Sequence, residues 1–149
     1  MNRQMIAASI FFCLSAPLCS SAEQAETDVQ YNIAGEWGFE ADTGEGCTFT
    51  GSALLLGTSD PTQYECELTA LQICASESWQ VRQSCTAVRD GNILEINSTI
   101  EEFIQGYDNG GYLPDNFRLA ITNEDLMQGY LLSWGFHVAE FRRAIGAIS

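Results

Sequence analysis

From Gly35 to Arg143, apolar and polar residues alternate with a period of two, and that period sets successive side chains on opposite faces of an extended strand. Cys47, Phe49, Gly51, Ala53 and Leu55 share one face, with Thr48, Thr50 and Ser52 on the other. Tyr64, Cys66, Leu68 and Ala70 alternate with Glu65, Glu67 and Thr69, and Trp79, Val81, Cys85 and Ala87 alternate with Gln80, Arg82, Ser84 and Thr86. Beyond Asp90-Gly91, a hairpin signal, Leu94, Ile96, Ser98 and Ile100 alternate with Glu95, Asn97 and Thr99. Gly35 to Glu40, Phe117 to Ile121, Met127 to Trp134 and Val138 to Arg142 bring the total to about eight short strands. Successive antiparallel strands with short turns predict an all-β fold, an up-and-down barrel or a sandwich. The barrel is preferred because closure removes exposed edges and leaves an interior that is filled or holds one small ligand. One segment stays open between strand and helix. Asp60-Pro61-Thr62-Gln63 has the cap, Pro and Gln of a helix start, and Tyr64, Leu68 and Leu71 would then share a helical face.

The chain has 149 residues, which suits a single domain. Residues 1–22 have the form of a secretory signal peptide: Arg3, an apolar stretch from Met5 to Leu18, and small residues Ser20-Ser21-Ala22 before Glu23. The apolar stretch is too short to favour a membrane span, so none is expected after cleavage. Residues 23–34 are expected to be a flexible lead-in and 35–149 the barrel domain. Cleavage would leave four cysteines: Cys47, Cys66, Cys74 and Cys85. An even number in an exported chain predicts two disulfides with three possible connectivities. Cys47–Cys66 with Cys74–Cys85 is ranked just ahead of Cys66–Cys85 with Cys47–Cys74. No C-x-x-C pair is present, so zinc is not expected. Export to the periplasm of a Gram-negative bacterium, or to the extracellular space, follows. Asn97-Ser98-Thr99 is a glycosylation sequon that matters only in a eukaryotic source.

Six Arg and no Lys face 20 acidic residues, for a net charge of −14; loss of Arg3 alone would take it to −15. That balance excludes a basic footprint for nucleic acid. It suits solubility, or steering toward a basic partner protein.

Gly35-Glu36-Trp37 at the first strand and Phe141-Arg142-Arg143 at the last resemble the lipocalin-like, or calycin, superfamily. The resemblance implies an eight-stranded barrel with Trp37 across its closed end and Arg142 or Arg143 packed over the indole. It extends to small secreted bacterial barrels of that superfamily that inhibit metalloproteases, in which an extended N-terminal segment enters the protease cleft; residues 23–34 would take that place here.

Candidate chemistry is sparse. His137, the only His, has no recognisable catalytic partner, and no G-x-S-x-G frame surrounds any Ser. Glu101-Glu102 and Glu124-Asp125 are paired in turns or loops. Asp42, Glu45, Asp108 and Asp115 are loop carboxylates without the alternating pattern of a calcium loop. Gln83 lies on an apolar face between Val81 and Cys85, where its amide must bond core backbone or point at a ligand. The longest irregular stretch, Gln105 to Asn116, holds Tyr107, Asp108, Tyr112 and Asp115, and long loops are often functional. These four are the candidate binding residues, with no catalytic residue, metal or cofactor. The expected protein is a monomeric, non-enzymatic binding module that holds a small apolar molecule or blocks a partner protein. An envelope hydrolase with an unidentified site and a structural accessory envelope protein are the alternatives.

Overall fold

A computed structural model describes residues 29–44 and 46–146; the signal peptide expected at 1–22 lies outside them. Eight strands follow in order: β1 (Gly35–Ala41), β2 (Thr48–Gly57), β3 (Gln63–Ile73), β4 (Ser78–Asp90), β5 (Ile93–Gln105), β6 (Phe117–Asn123), β7 (Leu126–Leu131) and β8 (His137–Arg143). Each pairs antiparallel with its chain neighbour, and β8 returns to β1 to close the barrel. No helix occurs among the described residues. The helix signal at Asp60 serves a turn instead. The Asp60 side chain accepts the Thr62 N–H at 2.9 Å, its carbonyl accepts the Gln63 N–H at 3.0 Å, and β3 starts at Gln63.

The period of two points every second side chain inward. Phe39, Phe117 and Phe141 meet on the axis with ring centroids 5.0–5.4 Å apart. Gly51 leaves the room: a Cβ there would collide with the Phe39 ring. The outward faces of β3, β4 and β5 expose Glu65, Glu67, Arg82, Thr86 and Glu95, unlike the apolar outer band of a membrane barrel.

Strand register decides the disulfides. Cys66 on β3 lies directly opposite Cys85 on β4, and Thr48 pairs with Ile73, which brings Cys47 beside Cys74. The bridges are Cys47–Cys74 and Cys66–Cys85. The pairing ranked first from sequence fails because β2 and β3 run antiparallel. Cys47 precedes Thr48 at one end of the hairpin, while Cys66 sits opposite Leu55 toward the other. Each bridge stabilises the fold by about 3 kcal/mol through restriction of the unfolded chain.

One end of the barrel is shut. Trp37 is fully buried and its indole N–H donates to the Ile33 carbonyl at 3.0 Å. The Arg143 guanidinium lies 4.6 Å above the Trp37 ring. It donates to the carbonyls of Ala34 at 2.9 Å, Asn32 at 2.7 Å and Glu124 at 2.8 Å. Buried Arg89 donates to the Tyr31 carbonyl at 2.6 Å and the Gly91 carbonyl at 2.8 Å. Two guanidiniums thereby hold residues 31–34 across the barrel end, and Gly35 leads into β1 against the Arg143 side chain. Arg142 faces outward and pairs with Glu140.

Candidate functional site

The opposite end is built from the connections β1–β2, β3–β4, β5–β6 and β7–β8. β5 outruns its partner: it pairs with β6 only from Ile93 to Ile96. The chain after β5 must therefore fold back over an open seam. Gly106 makes the reversal with φ +81°, and a Cβ there would meet Trp79 at 2.7 Å and the Ser78 carbonyl at 2.8 Å, so only Gly fits. The returning loop is stitched to β5. The Ser98 N–H donates to the Asn116 side-chain oxygen at 2.8 Å, and the Ser98 hydroxyl to the Asp115 carbonyl at 2.6 Å.

This return drives Tyr112 and Asp115 inward. The Tyr112 ring packs 6.0 Å from Trp79 and 6.3 Å from Phe103. Asp115 is only 2% exposed. Its Oδ2 accepts the Tyr112 hydroxyl at 2.7 Å and also the Gln83 amide. The Gln83 carbonyl accepts the Asp115 backbone N–H at 2.9 Å. Among the described residues no donor reaches Oδ1. Burial pushes the Asp115 carboxyl up from its ordinary 3.8 to about 6, against the opposing pull of the Tyr112 and Gln83 hydrogen bonds. Burial and the adjacent carboxylate push the Tyr112 phenol far above its ordinary range.

The β7–β8 connection completes the rim. Leu132 N–H donates to the Asn116 carbonyl at 2.8 Å and the Ser133 hydroxyl to the Pro114 carbonyl at 2.6 Å. The strand expected to run to Trp134 stops at Leu131, because Trp134 adopts φ +63°. That is the left-handed region, uncommon for a bulky side chain. Trp134 is left on the rim, 59% exposed.

Between these connections lies a cavity of about 390 Å³, lined by Phe49, Trp79, Tyr112, Asp115, Trp134 and His137 and by the Cys47–Cys74 bridge. Thr43 also lines it, and its hydroxyl is buried without a hydrogen-bond partner among the described residues. The described rim loops carry Asp42, Glu77 and Asp108 and no Arg. Arg89 and Arg143 sit at the shut end, while Arg82 and Arg118 lie on the outer wall against Glu102 and Glu95.

No protein-family model, curated protein or solved structure matches the chain.

Of the four loop candidates, Tyr112 and Asp115 meet inside the cavity. Tyr107, 71% exposed, and Asp108, whose carboxylate accepts the Gly110 N–H at 3.0 Å, stand at the loop tip. Gln83 is the partner that fixes the buried carboxylate. His137 lines the rim, with no carboxylate within ion-pair distance among the described residues. Asp42 accepts the Gly44 N–H, and Glu45 lies outside the described residues. Glu102 pairs with Arg82, while Glu124 and Asp125 turn at the shut end beside Arg143. No group of three potential metal ligands forms among the described residues. Thr43, Phe49 and Trp134 carry no sequence signal as cavity residues. Strand alternation puts Phe49 in the core, Thr43 lies in a connection that has no period to read, and Trp134 reads as the end of a strand.

Proposed function

We propose that this chain is an exported, non-enzymatic binding module of the lipocalin-like kind, and that it holds a small molecule in the open end of its barrel. The signal-like first segment and the two disulfides support export to an oxidising compartment. Trp37 beneath Arg143 on an eight-stranded closed ring supports the lipocalin-like assignment. One observation carries the binding reading. The cavity of about 390 Å³ ends on a buried carboxylate with one oxygen unbonded among the described residues. Small-molecule sites share with it a concave lining that joins aromatic side chains to convergent polar groups and a perturbed titratable residue. The three axial phenylalanines fill the barrel beneath it, so the ligand occupies the open end rather than the axis. Asp115 and His137 call for a polar group on it rather than a purely apolar molecule.

Native mass spectrometry of the protein purified gently from its own source tests this. A bound mass of small-molecule size, one per chain, is the expected result. A chain that is bare under every gentle condition sinks it. Capture of a partner protein is the second reading. It is favoured by exposed Trp134, Phe136 (82% exposed), Val138 and Tyr130 beside the open end, an apolar surface of the kind that marks an interface. A protein-sized adduct would move the assignment there.

A further inference from the structure

We infer that the ligand is an organic ammonium ion, an amine with one compact apolar body, seated with its N–H groups on Asp115 and its charge against the rings of Trp79, Tyr112 and Trp134. The inference rests on the small-molecule reading above and names its ligand class.

Buried carboxylates are ordinarily paired with a cation. Asp115 has no such partner among the described residues. Among the described residues both side-chain hydrogen bonds fall on Oδ2, which leaves Oδ1 an unused acceptor on a residue that lines the cavity. An acceptor in that position selects donors and cations and rejects anions. The surrounding loops reinforce the choice. Asp42, Glu77 and Asp108 ring the opening and no described rim loop holds a cationic Arg, so the field draws cations in and repels anions. The walls reinforce it again, because indole and phenol faces attract a desolvated cation. Tyr112 and His137 are the cavity's other titratable side chains among the described residues, and His137 stands on the rim. A hard metal ion does not suit the place. Calcium takes six to eight oxygen ligands, and no group of three ligating side chains forms among the described residues. An aliphatic or aryl ammonium satisfies every wall at once.

Isothermal titration calorimetry on the full mature chain at pH 7.5 tests this with three probes of one shape: phenethylammonium, neutral 2-phenylethanol and anionic phenylacetate. Phenethylammonium is expected to bind at least ten-fold more tightly than the alcohol, and phenylacetate not at all. Asp115→Asn keeps a carbonyl oxygen at the Oδ2 position for Tyr112 and Gln83 and places a neutral NH2 where Oδ1 was. It should bring the ammonium down to the level of the alcohol. Trp134→Ala, on the exposed rim, should weaken the ammonium several-fold, which keeps the test alive should Asp115→Asn fail to fold. Equal binding of alcohol and ammonium, or Asp115→Asn with undiminished ammonium binding, overturns the ammonium assignment and leaves the cavity as a small-molecule site. Silence from all three probes overturns the ammonium assignment, and the small-molecule reading then stands or falls on the native mass.

Discussion

The two ends of the barrel each bury a charge, and they treat it differently. At the shut end Arg143 and Arg89 spend their N–H groups on carbonyls of residues 31–34, Glu124 and Gly91, and Arg143 also lies flat on Trp37. At the open end Asp115 uses one oxygen twice and the other not at all among the described residues. A buried charge with every partner in place holds a structure together. A buried charge left half-satisfied beside a cavity keeps its capacity for something that arrives later.

The contrast is open to measurement, with the largest effects at the shut end. Trp37→Ala should cost about 3–5 kcal/mol in urea unfolding, the range for a fully buried aromatic; a loss below about 1 kcal/mol would mean the indole closes nothing. Asp115 should make stability depend on pH in an unusual direction. Its folded pKa is raised from 3.8 to about 6, so the folded chain binds the proton more tightly than the unfolded one. The contribution is fully present below about pH 3.8 and is lost as pH rises through about 6, a difference of about 3 kcal/mol. Subtracting the pH profile of Asp115→Asn from that of the wild type should show this fall; a flat difference would place the carboxylate in water. Arg143→Ala should cost about 2–3 kcal/mol, because it strands carbonyls at a covered barrel end. Arg142→Ala, facing solvent beside Glu140, should stay within about 0.5 kcal/mol. Equal effects would remove Arg143 as the lid. Smallest of all, Tyr107→Ala at the exposed loop tip should change neither stability nor ligand capture, whereas Tyr112→Ala should lower both.

The barrel was legible because alternation is a local signal repeated along the chain, and eight runs of it leave few other architectures. The site was legible only in fragments. Gln83 stood out as a polar residue on an apolar face, but its partner Asp115 lies 32 residues further on, in a loop that has no period. Tyr107 and Tyr112 look alike in sequence. They part company only because β5 outruns β6 and the loop must return over the gap. Cysteine spacing leaves the pairing open, whereas strand register, a non-local property, sets Cys66 against Cys85. Trp134 continued an apolar run and read as strand, while its left-handed backbone ends β7 three residues earlier.

The shut end also sets an order of assembly. Every strand pairs with its predecessor in the chain except at the seam between β1 and β8. The disulfides join residues 27 and 19 apart, whereas Arg143 reaches carbonyls 109 and 111 residues upstream. Closing a long loop costs more entropy than closing a short one. Hairpins β2–β3 and β3–β4, with both bridges, can therefore form before the C-terminal strand is in place. A chain halted before β8 would be cross-linked yet unclosed, with strand edges and a phenylalanine core open to its neighbours. The ring is completed only when β8 meets β1.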